Sequence, residues 1–221
     1  MSTAATTHGD GYAAGVKAEV AIARTRADVA HRQAEIEQHG LVTMPRGNVS
    51  ARIASAQLMV MSPVSGPFEK VSPERTVVCD LDGRLVPDSL GSDRQPSLDA
   101  GIHAAVYRAH AEIGAIIHTD SPNALAWAEV AEILPCHTAG TAELLGDAVD
   151  VTVVDLASAD AVPAAVARGC GAVAGIALVR GIGVFATGTT LRDAVARAVA
   201  VEAAARHALL VRHHQTPDAV S

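Results

Sequence analysis

Aromatic side chains are almost missing from this chain: one Trp, two Tyr and two Phe among 221 residues, 2% of the total. Hydrophobic residues still make up 49%, so the core must be built from Ala, Val, Leu and Ile. Lysine is scarce as well. With only Lys17 and Lys70 and a formal net charge of −7, no basic block interleaved with aromatics is present, which excludes the usual nucleic-acid surface. No apolar run approaches the ~20 residues needed to cross a bilayer, so no membrane partner is expected. The segment Met1–Gly11 lacks the basic and apolar regions of a secretory signal, and a soluble cytoplasmic protein is the expectation. Cysteine is limited to Cys79, Cys136 and Cys170, odd in number and never in a Cys-x-x-Cys arrangement. They read as reduced, buried thiols.

What is present suffices for one domain spanning 1–221. Over residues 13–39, Val16, Val20, Ile22, Val29 and Ile36 recur between charged residues, an amphipathic helix that Gly40 ends. Strand-like runs follow at Asn48–Ile53, Leu58–Ser62 and Thr76–Leu81, and Asp82-Gly83 turns the chain into Arg84-Leu85-Val86, the strongest hairpin signal here. Residues 90–97 read as a polar loop. Further on, the pattern predicts a helix over 99–110, a strand at Ile113–Ile117, a helix at Pro122–Val130, turns over Thr138–Gly146 and a strand at Val151–Leu156. A helix over 159–168, strands near Ala172–Val179 and Gly183–Ala186, and a long helix from Thr190 to His213 complete the order, with 213–221 as a frayed tail. Strand runs cluster at 48–86 and alternate with helices later. This order predicts an α/β fold, a three-layer α/β/α sandwich around a central, largely antiparallel sheet.

The most pointed chemistry lies in Ala115-Ile116-Ile117-His118-Thr119-Asp120-Ser121-Pro122. Residues two apart on a strand share a face, so His118 and Asp120 reach toward one point, where imidazole and carboxylate are ordinary ligands of a divalent ion. Two ligands are fewer than a catalytic ion needs. The plainer alternative has His118 hydrogen-bonded in the core and Asp120 capping the helix that begins at Ser-Pro.

Read together, these segments resemble the class II aldolase/adducin superfamily, whose sugar-phosphate members include fuculose-phosphate aldolase and ribulose-phosphate 4-epimerase. Gly40-Leu41-Val42 with Gly47-Asn48-Val49-Ser50 is similar to its Gly-Asn-Ile-Ser loop, and Ser62-Pro63-Val64-Ser65-Gly66 to its Ser-Gly turn. Val77–Gly83 matches its hairpin, Pro96-Ser97-Leu98-Asp99 stands in the place of Pro-Ser-Ser-Glu, and His103 and Tyr107 follow at the family spacing. His118-Thr119-Asp120-Ser121 aligns with the metal-binding His-Thr-His-Ser, Leu178–Gly183 with Leu-Leu-x-Asn-His-Gly, and Leu191–Ala205 with the last helix. The resemblance implies three metal-binding histidines, a carbonyl polarised by the ion and a glutamate acting as acid or base. Of the three, only His118 is retained, because Asp120 and Ile182 stand at the other two positions.

The resemblance thus implies a lyase acting next to a carbonyl, with Asp99 and His118 as catalytic residues and an altered or absent metal site. His118, Asp120 and His137 are the candidate ligands for zinc or manganese, the alternative being no cofactor. Asn48, Ser65, Gly66 and Ser97 match positions that contact the family's anionic substrates. Met44-Pro45 and Leu98 replace polar family residues, which points to a small, non-phosphorylated carbonyl compound. Arg46 and Arg180 are candidates to pair with an anion, or else structural ion pairs. His103, one turn after Asp99, is expected to orient that carboxylate, Tyr107 to pack with its hydroxyl at an edge, and His207, His213 and His214 to sit at a helix end. Family members form tetramers, so a homotetramer is expected. The competing function is a non-catalytic, adducin-like binding or assembly module.

Overall fold

Short β-branched runs separated by Ala-rich helices put one sheet between helical layers. A computed structural model describes residues 7–44, 46–64, 70–87, 94–152, 154 and 161–215. The chain runs α1 (Thr7–Gln38), β1 (Asn48–Ile53), β2 (Leu58–Met61), β3 (Val77–Asp80), α2 (Ala100–Ala109), β4 (Ala115–Thr119), α3 (Pro122–Val130), β5 (Ile133–Pro135), α4 (Ala139–Leu145), β6 (Ala148–Thr152), α5 (Ala161–Cys170), β7 (Ile176–Val179), β8 (Gly183–Gly188) and α6 (Leu191–Gln215). The eight strands are ordered β3-β2-β1-β4-β8-β7-β6-β5. Every neighbouring pair is antiparallel apart from β6 and β7. The α/β class and the largely antiparallel sheet therefore agree with the sequence reading.

Strand alternation sorts the core into two clusters. In β4, Ala115 and Ile117 pack with residues of α1, α3 and α6, among them Val29, Trp127 and Val201. Ile116 packs on the opposite face with Ala104 and Tyr107 of α2 and Val166 of α5. Ile116 and Ile117 have no exposure, and each such burial stabilises by ~1.5–3 kcal/mol over an exposed side chain. Gly40, at φ +68°, closes α1: its N–H donates to Glu37 O and that of Leu41 to Ile36 O, a left-handed exit that glycine takes without strain.

Several boundaries differ from the sequence reading. The fourth strand begins at Ala115 rather than Ile113, because the Ile113 N–H is still bonded to His110 O in the turn after α2. Residues 138–146 do not form turns alone: Ala139–Leu145 is a helix whose Thr138 hydroxyl accepts from Thr141 N. The three-residue strand β5 carried no legible pattern. The strand expected at Val151–Leu156 lies at Ala148–Thr152, and 153 and 155–160 lie outside the described residues. The last helix continues through Gln215, two residues past its expected end at His213. Among the described residues no helix is long and apolar enough to cross a membrane.

Candidate active site

Three elements meet at one carboxylate. Asn48 opens β1, and the β1–β4 register sets it directly opposite His118, so the two side chains stand side by side on the face toward α2. Asp99 precedes the first residue of α2, a position where Asp normally caps its own helix, yet its side chain makes no such bond. Instead, Asp99 Oδ2 accepts from His118 Nδ1 at 2.7 Å and from Asn48 Nδ2 at 2.6 Å. The Asn48 amide also donates to the Arg46 carbonyl, and Ser97 Oγ accepts from the Asp99 N–H. Burial pushes the Asp99 carboxyl up, but His118 and the Asn48 amide outweigh it and hold the group at about 2. Asp99 is therefore ionised at neutral pH. Its side chain retains 20% exposure against 4% for His118, so within this pair the carboxylate is the group a solute meets.

On its other side His118 lies opposite Phe185 of β8, ring on ring at 4.1 Å and 2°. The imidazole plane is thereby clamped between Asn48 and Phe185. Among the described residues His118 Nε2 is buried without a hydrogen-bond partner. It lies against Gly183, where an added Cβ would come within 2.7 Å of it and 2.3 Å of Thr119 O. Gly183, at φ +146°, is thus a position at which only glycine leaves the ring room.

Behind this pair is a buried polar chain. Ser50 Oγ is 2.8 Å from His103 Nδ1 and 2.9 Å from the Tyr107 hydroxyl. His103 thus hydrogen-bonds Ser50 rather than Asp99, which corrects its expected role, and Tyr107 is buried instead of lying at an edge. Complete burial holds His103 down at about 3, so it is neutral, and burial pushes the Tyr107 phenol up. The His103 ring meets Phe185 edge-on at 6.1 Å. Spacing alone carried part of this: Asn48 and Ser50 share a face by strand period, and Tyr107 lies one helical turn after His103. Phe185 carried no signal, whereas Gly183 ends the Leu178–Gly183 stretch on which the family resemblance rests.

The remaining sequence candidates separate. Asp120 follows the last residue of β4, and both its oxygens are taken: Oδ1 by Thr43 N, Oδ2 by Met44 N and the Thr43 hydroxyl. It neither caps α3 nor completes a site with His118, since Glu202 receives the Asn123 and Ala124 N–H groups at that helix start. His137 packs edge-on against His207 of α6 at 5.8 Å. Arg180 donates to the carbonyls of Ala128 and Ala131 at the end of α3, a structural cap rather than an anion contact. The Arg46 side chain is exposed, and Ser97 sits beside Asp99. Ser65 and Gly66 lie outside the described residues. The buried cysteines remain thiols, with burial raising Cys79 and Cys170 to about 12.

Among the described residues no group of three His, Cys, Asp or Glu side chains is placed to hold a metal ion. His118 turns Nδ1 to Asp99 and buries Nε2, Asp120 is fully engaged, and His137 lies with His207. These residues do not fit the three-ligand ion site that the resemblance implies.

The family model described as class II aldolase and adducin N-terminal domain matches residues 27–209. L-ribulose-5-phosphate 4-epimerase UlaF of Salmonella paratyphi C (strain RKS4594) is 34% identical over 101 residues, 46% of this chain and 42% of that protein. The chain thus spans less than half the length of such curated relatives. Of solved structures, an L-fuculose 1-phosphate aldolase superposes with a TM-score of 0.76 and 22% identity over 90% of this chain and 91% of that one. L-fuculose-1-phosphate aldolase from Thermus thermophilus gives 0.74 and 21% over 90% and 100%. A putative aldolase/epimerase/decarboxylase, YgbL of Klebsiella pneumoniae, gives 0.72 and 22% over 88% and 92%. At these identities the structures speak for the fold, while the model match covers most of the sequence: the chain belongs to the class II aldolase and adducin family.

Proposed function

We propose that this protein is an aldolase-type lyase that breaks a bond next to a carbonyl of a small, non-phosphorylated substrate, with Asp99 as acid and base and His118 as its orienting partner. The observation that carries the reading is the carboxylate of Asp99, turned away from its own helix and held through Oδ2 by Asn48 and His118. This leaves Oδ1 for a substrate proton. In a retro-aldol step Oδ1 takes the hydroxyl proton of a 3-hydroxy carbonyl compound, the carbon–carbon bond opens into an aldehyde and an enolate, and the same proton returns to the enolate carbon. No co-reactant is needed. Held at about 2, the carboxylate is ionised at neutral pH and so is in the form that accepts a proton. Exposed apolar side chains, Leu98 next to Asp99 in the chain at 88% and Met44 at 61%, support a substrate without phosphate, because neither side chain offers an anion a hydrogen bond.

The test is a panel of 3-hydroxy carbonyl compounds, with and without phosphate, assayed for aldehyde release. Wild type is expected to turn over an unphosphorylated member, and Asp99→Asn to lose at least ~100-fold in kcat/KM, the scale of a general acid–base group. Full activity in Asp99→Asn overturns the assignment. Binding of panel members with no turnover by wild type points to a non-catalytic, adducin-like module instead.

A further inference from the structure

The buried trio behind the pair has a direction that hydrogen-bond counting fixes. Tyr107 is 1% exposed, and Ser50 and His103 have no exposure. Among the described residues the Tyr107 hydroxyl meets a side-chain partner only in Ser50 Oγ, and Ser50 Oγ bonds only Tyr107 and His103 Nδ1. Ser50 Oγ is the only hydrogen-bond acceptor within reach of the phenol oxygen among the described residues, so the phenol proton goes to it. If the phenol donates to Ser50 and Ser50 donates to His103, both hydroxyl protons are used, Nδ1 is an acceptor and the ring proton sits on Nε2. If the order is reversed, His103 Nδ1–H donates to Ser50 and Ser50 to the phenol oxygen, leaving the phenol proton without an acceptor. His103 Nε2 has no partner in either case, so the reversed order has one more unmade bond, at a penalty of ~1–3 kcal/mol for a buried polar group. The first order wins.

We propose that Tyr107, Ser50 and His103 form a one-directional relay that holds His103 as a neutral, Nε2-protonated ring and, through Phe185, fixes the plane of His118 against Asp99. His103 abuts Phe185 edge-on and Phe185 stacks flat on His118, so the orientation set at Ser50 passes through one aromatic ring to the imidazole that holds the carboxylate. A neutral His103 also keeps a second positive charge away from His118, whose charge it would feel at this range. His103 is therefore a positioning residue, and its role in turnover rests on the lyase reading of Asp99.

The test reads the ring directly. Long-range proton–nitrogen correlation spectra of 15N-labelled protein near pH 7 are expected to show His103 of the wild type as a single tautomer with its proton on Nε2. Ser50→Ala removes the donor and is expected to give a mixture of tautomers. Tyr107→Phe removes the phenol proton that claims Ser50 as its acceptor, so it too is expected to give a mixture of tautomers. A wild-type ring protonated on Nδ1, or a Ser50→Ala spectrum identical to that of wild type, overturns the relay, and the wild-type spectrum decides even if Ser50→Ala fails to fold. In turnover, Ser50→Ala is expected to lower kcat about 10-fold at constant KM, since a displaced catalytic group slows chemistry without loosening binding. An unchanged kcat overturns the positioning role. Should Asp99→Asn retain activity while His103 still shows its proton on Nε2, the assignment of Asp99 fails and the relay stands.

Discussion

A buried polar cluster flanks strand β1 on each side, and the two differ in kind. Toward α1, Gln33 donates to Gly47 O and Glu37 and accepts from Ser62 Oγ, which in turn receives Val49 N. Both side chains there have their donors and acceptors engaged. Toward α2, the Asn48–Asp99–His118 and Ser50–His103–Tyr107 groups leave Asn48 Oδ1, His118 Nε2 and His103 Nε2 buried with no partner among the described residues. A closed network holds an element in place, whereas an open one maintains desolvated groups at a free-energy penalty that stability alone does not explain. The difference marks the α2 face as the one shaped by something other than folding.

The largest expected effect follows from His103. Its ordinary value of 6.5 is held down to about 3 in the folded protein, so the unfolded chain takes up a proton that the folded one refuses. The stability from this group is complete above about pH 6.5 and falls by ~1.4 kcal/mol per pH unit as the pH drops toward 3. Asp99, held at about 2 from an ordinary 3.8, loses its own contribution as the pH falls from about 3.8 to about 2, overlapping only the lower end of that window. Denaturant midpoints measured against pH for wild type and His103→Gln check this: the slope should weaken in the variant, and equal slopes would remove the contrast between the two faces. Next comes Gly183→Ala, whose Cβ would meet the Thr119 carbonyl at 2.3 Å and His118 Nε2 at 2.7 Å. Because one of those atoms is backbone, a loss of ~2–4 kcal/mol is expected by urea unfolding, together with an altered His118 ring resonance. The smallest effect belongs to the closed cluster: Gln33→Ala should cost ~1–2 kcal/mol in the same measurement and leave the His103 tautomer as it is. A tautomer change there would show that the two clusters are coupled.

Much of this architecture was legible in the chain. The period-2 run Asn48–Ile53 and the Pro-led helix Pro122–Val130 fall where the pattern puts them. Thr138–Gly146 misled because Gly140 and Gly146 read as turns, although the Thr138 cap and burial of Leu145 sustain a short helix. Asp99 and His118 were legible as chemistry, but their shared proton depends on residues 48, 99 and 118 meeting in space, which no local pattern encodes. Asp120 was misread for a definable reason. The same-face rule holds only while a strand continues, and β4 ends at Thr119, which frees the next carboxylate to grip the backbone after α1.

Pairing between β1 and β4 sets Asn48 across from His118 and Ser50 across from Ile116. A slip of that ladder by a single residue would carry one partner to the opposite side of the sheet, burying an amide among aliphatic groups and stranding the imidazole. Correct threading of the two segments and assembly of the Asn48–Asp99–His118 cluster are for that reason the same event, and a misthreaded chain would betray itself by instability.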